Sequence, residues 1–260
     1  MSATIVLLHG IGGNAAGFAP LLQAFARQQQ PALAWNQPGY GDEPLVEPYD
    51  FDTCAQALSD WLTRTRPGAV VLAGHSMGGM LAQTLWRQQA ARKPHDAGGD
   101  GWTIAGLVLA HTSPAFGQPD GDFQRRFVES RTRPLDEGKT MADMAKRLAP
   151  TLVAPGTATA VIEAAIAMMA VVPAATYRLA ISALTRFDER AALPGISVPT
   201  LCLAAEHDRA APPAVLERMA TRIAGADYEC LPGLGHLAPI EDPDSWSRTV
   251  AAWCARRLPR

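Results

Sequence analysis

Short apolar runs rich in Val, Ile, Leu and Ala alternate along most of the chain with longer stretches in which apolar residues recur at helical spacing. Parallel strands that are buried on both faces have this composition, and the stretches between them suit crossover helices. The alternation therefore predicts an α/β fold with a doubly wound, mainly parallel sheet. The predicted strands are residues 4–8, 32–36, 69–73, 104–110, 200–204 and 228–231, and the predicted helices are residues 18–29, 52–64, 77–91, 213–224 and 244–258.

The alternation fails between residues 115 and 190, where Leu, Ala and Met recur at helical spacing and several prolines interrupt the pattern. A chain of 260 residues is near the upper limit for one hydrophobic core. We therefore expect a core formed by residues 1–114 and 191–260, with a helical cap formed by residues 115–190. Residues 93–101, which include His95, are expected to form a surface loop without a functional role.

The charges of the chain are nearly balanced, with 23 Lys and Arg against 25 Asp and Glu. This balance gives no cationic surface for nucleic acid or for an anionic membrane. No apolar run approaches the roughly 20 residues of a membrane span, and no secretion signal precedes the first predicted strand. We therefore expect a cytoplasmic protein whose partner is a small molecule, and a homodimer remains open.

The chain has four cysteines that stand far apart and form no C-x-x-C pair, namely Cys54, Cys202, Cys230 and Cys254. Zinc sites and redox pairs need closer spacing, so neither is expected. We interpret all four side chains as buried free thiols. No metal and no organic cofactor is expected.

One serine stands in the turn between a predicted strand and a predicted helix, in the sequence Gly74-His75-Ser76-Met77-Gly78. Such a turn lifts the serine hydroxyl off the edge of the sheet. Glycines two positions before and two positions after the serine let the strand and the helix approach each other closely. Ser76 is therefore the candidate nucleophile of an acyl-transfer reaction.

A serine nucleophile needs a base within hydrogen-bond reach, and the base needs a carboxylate to orient it. His236 follows the last predicted strand, and Asp208 follows the strand before it. The carboxyl ends of parallel strands meet at one edge of the sheet, so we assign His236 as the general base and Asp208 as the orienting acid. Glu206 lies in the same loop and is the nearest alternative to Asp208.

Two backbone N–H groups are expected to stabilise the oxyanion of a tetrahedral intermediate. One belongs to Met77, directly after the nucleophile. The other belongs to Ile11, in the glycine-rich segment of residues 9–13 that follows the first strand. A plain strand-to-helix turn is the alternative interpretation of that segment. His9 and His75 are expected to pack beside the serine rather than react.

Four residues are assigned to the substrate pocket, namely His111, Phe116, Met168 and Leu237. Apolar cap residues would roof this pocket with flexible surface, unless they only pack the cap helices against one another. These cap residues are Phe116, Phe123, Phe127, Met141, Met144, Met168 and Met169. The cap also has four arginines, Arg125, Arg126, Arg131 and Arg133, which would recruit a substrate carboxylate if they faced inward and are otherwise solvated.

These motifs, in this order, resemble the α/β-hydrolase superfamily across nearly the whole chain. Residues 35–41 are similar to the family's D-x-P-G-x-G loop, with Asn36 in place of the aspartate. Residues 188–213, and Gly235-His236 followed by Pro243, are similar to members that hydrolyse small esters and enol-lactones such as 3-oxoadipate enol-lactone. The resemblance implies a serine hydrolase that cleaves a small or medium carboxylic ester or lactone through an acyl-enzyme on Ser76.

The family usually begins with an antiparallel hairpin, whereas the first predicted strand here starts almost at Met1. The hairpin is therefore expected to be missing from this sequence.

Two other functions stay open. Carbon–carbon bond hydrolases of the dienoate type use the same triad but usually have Trp where this chain has Leu237, and a non-catalytic ligand-binding protein would share the fold. Epoxide and haloalkane hydrolases place Asp in the turn, so Ser76 excludes them.

Overall fold

A computed structural model describes residues 3–92, 101–118 and 121–259 of the chain. Six strands form one sheet in the order β2-β1-β3-β4-β5-β6, and every pair of neighbours is parallel. The strands are β1 (Thr4–Leu8), β2 (Ala32–Trp35), β3 (Gly68–His75), β4 (Trp102–Ala110), β5 (Thr200–Ala205) and β6 (Asp227–Leu231). The predicted α/β fold with a doubly wound parallel sheet is confirmed.

The described residues also form ten α-helices, which are α1 (Ala19–Arg27), α2 (Phe51–Thr65), α3 (Met77–Ala90), α4 (Asp122–Asp136), α5 (Met141–Leu152), α6 (Thr159–Ala170), α7 (Ala174–Arg186), α8 (Pro213–Ala220), α9 (Ala238–Glu241) and α10 (Pro243–Arg257). Five of them match the five predicted helices to within a few residues at each end. Four more, α4 to α7, lie between β4 and β5, and the short helix α9 was not predicted.

Alternation along the strands assigns successive side chains to two separate cores. In β1, Ile5 and Leu7 pack on the face covered by α1 and α10, whereas Val6 and Leu8 pack on the face covered by α2, α3 and α8. Large aromatic side chains such as Trp246 fill the first of these cores. Both faces of the sheet are therefore buried, which explains why the strands are continuously apolar.

Side chains at the helix starts explain several of the boundaries. Asp50 accepts a hydrogen bond from the Thr53 N–H at 2.8 Å and caps α2. Asp242 caps α10 in the same way through the Ser245 N–H. A capped N-terminus pairs one of the backbone N–H groups that a helix leaves without an internal partner. The carboxylates at positions 50 and 242 thus fix where these two helices begin.

The helices α4 to α7 occupy the segment for which a cap was predicted. An isolated antiparallel bridge joins Ala115 to Asp188, so the two ends of that segment lie side by side next to the sheet. The division into core and cap itself stays a prediction. All strand pairs in the described part of the chain are parallel, and the antiparallel hairpin that was expected to be missing is not among them.

Two further expectations differ in outcome. Cys54, Cys202 and Cys254 are buried free thiols, as expected, but Cys230 is exposed. Its strand, β6, is at the edge of the sheet and is less covered than the central strands, so the expectation for Cys230 was wrong. Residues 93–100, including His95, lie outside the described residues.

Within the described ranges, no single helix is long and apolar enough to cross a membrane. The pair α6 and α7 together has sufficient length and apolar composition, but the two helices are bent by 94° at their junction.

Candidate active site

Ser76 stands in a strained turn between β3 and α3. Its backbone φ is 55° and its ψ is −119°, a conformation that residues with a side chain rarely adopt. A Cβ at Gly74 would collide with the backbone of Gly78, and a Cβ at Gly78 would collide with the Leu8 carbonyl group. The two glycines are therefore required for the close approach of β3, α3 and β1 that raises the serine.

The structure brings His236 and Asp208 to Ser76. His236 Nε2 lies 3.1 Å from Ser76 Oγ, and His236 Nδ1 lies 2.9 Å from Asp208 Oδ2. Asp208 follows β5 and His236 follows β6, so both side chains come from the carboxyl edge of the sheet. The three residues form one chain of hydrogen bonds from the hydroxyl to the carboxylate.

The carboxylate of Asp208 is buried and well supplied with donors. Its Oδ1 accepts hydrogen bonds from the Ala210 and Ala211 N–H groups, each at 2.8 Å. Burial by itself would raise the pKa of Asp208, but the charge and hydrogen bond of His236, together with His111 and the Ala211 N–H, lower that pKa below its ordinary value. Asp208 is thus held as a carboxylate beside the imidazole.

Glu206, the alternative acid, points elsewhere. Its Oε2 accepts a hydrogen bond from the Gly233 N–H at 2.8 Å, and its side chain is exposed. The loop turns after β5 so that Glu206 fastens the neighbouring loop while Asp208 enters the interior. Of the two candidate acids, Asp208 is the one that contacts His236.

The glycine-rich segment after β1 passes directly over the serine turn. A Cβ at Gly10 would lie 3.0 Å from His75 Nδ1 and 3.1 Å from the Ser76 Cβ. Tyr40 Oη donates a hydrogen bond to the Ile11 carbonyl oxygen at 3.0 Å and holds the segment in place. The N–H groups of Ile11 and Met77 donate to no protein acceptor within the described ranges. Their role as oxyanion donors stays a prediction.

Two buried histidines support the site from below. His75 Nε2 lies 2.7 Å from the His236 carbonyl oxygen, so its imidazole fixes the backbone of His236. Trp246 Nε1 donates to His111 Nε2 at 3.3 Å, which places the hydrogen of the neutral His111 ring on Nδ1. That Nδ1 lies 3.7 Å from Asp208 Oδ2 and has no hydrogen-bond partner among the described residues. The sequence did not predict either contact.

Burial keeps these supporting histidines neutral. Desolvation lowers the pKa of His111 to about 3 and the pKa of His75 well below its ordinary value. Desolvation likewise lowers the pKa of His9 to about 4. His9 Nδ1 donates to the Gly10 carbonyl oxygen at 2.9 Å, and its Nε2 accepts from the Gln37 N–H at 3.0 Å. His9 and His75 therefore pack beside the serine turn, as predicted.

A largely apolar cavity of about 310 Å³ opens onto Ser76 and His236. The four residues assigned to the pocket all line it, namely His111, Phe116, Met168 and Leu237, as do the cap residues Phe123, Phe127 and Met169. Substrate contact by these residues stays a prediction. Met141 and Met144 do not line the cavity, because they point into the packing of the cap helices against one another and against the core.

The cavity wall contains two arginines that its apolar composition does not suggest, Arg131 from α4 and Arg209 from the loop after β5. Tyr177 from α7 also lines it. Elsewhere on α4, Arg133 pairs with Glu129 and Glu137 on the surface. In the portion of the chain that the structure covers, no group of three or more His, Cys, Asp or Glu side chains is arranged to hold a metal ion.

Comparison with known proteins identifies the family of the chain. Residues 5–249 match the model of a family described as the alpha/beta hydrolase family. A protein of Variovorax paradoxus assigned as the carbamate hydrolase RutD is 28% identical over 266 residues, covering 97% of this chain and 91% of that protein.

Solved structures show the same architecture. A thermophilic esterase from Thermogutta terrifontis, in a malate-bound structure, has a TM-score of 0.84 at 22% identity and covers 100% of this chain and 92% of its own. The enol-lactonase from Burkholderia xenovorans has a TM-score of 0.81 at 24% identity, with 98% and 92% covered. At such identities the likeness concerns the fold. The family match extends over nearly the whole chain, and the chain therefore belongs to the alpha/beta hydrolase family and is a hydrolase.

Proposed function

We propose that this hydrolase cleaves a small or medium carboxylic ester or lactone through an acyl-enzyme on Ser76. The observation that supports the proposal is the chain of hydrogen bonds from Ser76 Oγ through His236 to Asp208, at 3.1 Å and 2.9 Å. A nucleophile, a base and an orienting carboxylate in this arrangement are what acyl transfer to serine requires.

The first half of the reaction forms the acyl-enzyme. His236 Nε2 takes the proton of Ser76 Oγ as that oxygen attacks the substrate carbonyl carbon. The carbonyl oxygen becomes an oxyanion, which in this proposal binds the N–H groups of Ile11 and Met77. His236 then gives the proton to the leaving oxygen, which departs as an alcohol or, for a lactone, as the freed hydroxyl end of the opened ring.

The second half of the reaction releases the acid. His236 takes a proton from water, the hydroxide attacks the acyl carbon, and Ser76 Oγ leaves with the proton returned by His236. Asp208 stays a carboxylate throughout. Its role is to fix the imidazole tautomer and to stabilise the imidazolium. None of these steps calls for a metal or an organic cofactor.

The cavity supports a substrate of limited size. A volume of about 310 Å³ at the nucleophile is at the lower end of the range for small-molecule sites, and the wall is largely apolar. In this proposal residues 115–190 act as the cap that roofs the substrate, with Phe116 and Met168 against its acyl or aryl part. The partner is thus a small molecule.

The proposal is tested by hydrolysis of p-nitrophenyl esters from acetate to octanoate. We expect turnover by the wild-type protein, loss of turnover in Ser76→Ala, and a chain-length profile that measures the cavity. Ser113→Ala is the matched control, because Ser113 also lines the cavity but donates to the Ala115 carbonyl oxygen at 2.7 Å. It should keep turnover near the wild-type value.

The same panel separates the alternatives. If the wild-type protein hydrolyses none of the esters, the esterase proposal is wrong, and a dienoate-type diketone becomes the substrate to test next. If neither class of compound is turned over while ligands still bind in the cavity, the protein is a binder with the fold of a hydrolase.

A further inference from the structure

Arg131 places a charged guanidinium in the wall of the apolar cavity. Its side chain is partly buried and lines the same cavity as Ser76. The guanidinium carbon lies 5.1 Å from the centre of the Phe127 ring, so the group stacks on an aromatic side chain of the same wall. Stacking uses one face of a guanidinium and leaves its N–H groups at the edge for hydrogen bonding.

This guanidinium has no carboxylate partner in the described part of the chain. The acids nearby on α4 and at its C-cap are already paired, since Glu129 and Glu137 bind Arg133 and Asp136 binds Arg178 at 2.6 Å. Arg133 lies two residues from Arg131, on another side of the helix, and is largely exposed. The ion pairs of α4 therefore lie outside the cavity, and Arg131 is the charged side chain that the described part of this helix contributes to the cavity wall.

An unpaired cation in an apolar wall is unfavourable for the protein by itself. Desolvation lowers the pKa of Arg131, and the charge of Arg147 adds to that effect against the opposing influence of Tyr177. Arg keeps its charge even so, because a guanidinium is too strong a base to lose its proton under ordinary conditions. A bound anion would supply the missing partner.

The remainder of the wall favours an anion as well. Arg209 is the other charged side chain that lines the cavity, and none of the lining residues that the structure describes is Asp or Glu. Asp208 is behind His236 and faces the interior. An anionic group in the cavity would therefore meet the Arg131 guanidinium, with the Arg209 residue also in the wall, and no carboxylate among the described lining residues.

We propose that Arg131 forms a carboxylate-binding subsite, so that the preferred substrates are esters or lactones that bear a second, free carboxylate away from the bond to be cleaved. The planar guanidinium matches a carboxylate through two parallel hydrogen bonds, and the apolar wall between Arg131 and Ser76 suits the hydrocarbon chain of a dicarboxylic half-ester. This inference rests on the proposed esterase function for its substrate class, but the anion subsite can be tested without turnover.

The kinetic test compares two substrates of equal length, the monomethyl ester of adipic acid and methyl hexanoate. We expect wild-type protein to prefer the half-ester, and Arg131→Met to reduce the ratio of kcat/KM for the half-ester to that for the neutral ester by about tenfold to a hundredfold, mainly through KM. Arg131→Lys should recover part of the ratio, because lysine restores the positive charge but cannot form the two parallel hydrogen bonds of a guanidinium. Arg126→Gln, at an exposed position on the same helix, is the control.

A binding measurement separates failure of the subsite from failure of the esterase proposal. Calorimetry with adipate and the Ser76→Ala protein should show binding that weakens about tenfold or more when Arg131→Met is added. Arg131-dependent adipate binding without any ester turnover would support the subsite and contradict the esterase proposal. The carboxylate assignment would be overturned if Arg131→Met lowered kcat/KM equally for both esters, so that their ratio stayed at the wild-type value. Stronger binding of hexyl phosphate than of adipate would also overturn it.

Discussion

The imidazole of His111 faces the buried carboxylate of Asp208, with Nδ1 3.7 Å from Oδ2 and no hydrogen bond between them. His236 binds the same oxygen at 2.9 Å. Asp208 Oδ2 is thus oriented toward one histidine and flanked by another. The flanking ring is held in this position by Trp246, whose Nε1 donates to His111 Nε2. The carboxylate, the two histidines and the tryptophan form one packed unit beneath the serine.

Replacing Asp208 tests whether that carboxylate orients the base. Asp208→Asn keeps the shape of the side chain but removes the acceptor that selects the His236 tautomer, so kcat for ester hydrolysis should fall by about a thousandfold to ten-thousandfold. Glu206→Gln is the matched control in the same loop, because Glu206 is exposed, contacts the Gly233 N–H and His207 rather than His236, and should leave kcat within about twofold. Equal losses in the two variants would contradict the assignment of Asp208.

The contact between Trp246 and His111 should contribute to stability. His111→Phe leaves the buried Trp246 Nε1 without an acceptor, at a cost of about 1 to 3 kcal/mol in the free energy of unfolding. Urea denaturation of His111→Phe, Trp246→Phe and the double variant measures the coupling between the two positions. We expect the double variant to be more stable than the sum of the single losses predicts. Strict additivity would show that the two side chains do not interact.

The strands β3 and β1 and the helix α3 approach each other so closely at the serine turn that we expect a single added methyl group to destabilise the protein. Gly78→Ala forces a Cβ against the Leu8 carbonyl group, so the free energy of unfolding should fall by about 1 to 3 kcal/mol or more, with misplacement of Ser76. Gly195→Ala is the control, because its nearest atom, on Trp86, lies at an ordinary contact distance of 3.5 Å. A Gly78→Ala protein with unchanged stability and turnover would contradict the described geometry of the turn.

Because several buried histidines are neutral in the folded protein, we expect the free energy of unfolding to fall as the solution becomes acidic. The pKa of His9 is about 4 in the folded protein, against about 6.5 in the unfolded chain. Between these values the unfolded chain binds more protons, so the free energy of unfolding rises with pH and falls on acidification below about pH 6.5. The slope for each such histidine approaches about 1.4 kcal/mol per pH unit.

The variant His9→Gln tests whether proton uptake by His9 on unfolding causes this pH dependence. Removing His9 should reduce the slope of the free energy of unfolding between pH 6 and pH 5 by about 1 kcal/mol per pH unit, even if the variant is less stable at neutral pH. Urea denaturation at the two pH values gives the slope directly. An unchanged slope would mean that His9 does not take up a proton on unfolding.

The fold and the serine turn could be predicted because their signals are local in the sequence. A buried parallel strand is apolar over several consecutive residues, and the glycines around Ser76 are dictated by contacts at that turn alone. Asp208 and His236 followed from the rule that parallel strands end at the same edge. Asp208 could be preferred over Glu206 only by position, and the structure supplies the contact that distinguishes them.

The remaining features depend on distant contacts or on helix rotation. His111 and Trp246 are 135 residues apart in sequence, so no local pattern indicates their hydrogen bond. Arg131 and Arg133 differ by two positions and hence by more than half a helical turn, and their sequence surroundings are alike. Which arginine faces the cavity is decided by how α4 packs against its neighbours. The direction of Met141 and Met144 is likewise set by the packing of the cap helices.

The most direct measurement of the central claim is detection of the acyl-enzyme itself. Wild-type protein mixed with p-nitrophenyl butyrate is quenched in acid within milliseconds and analysed by intact-protein and peptide mass spectrometry. We predict a mass increase of one butyryl group, located on the peptide that contains Ser76 and absent from Ser76→Ala. Hydrolysis without any adduct, or an adduct at another residue, would contradict acyl transfer through Ser76.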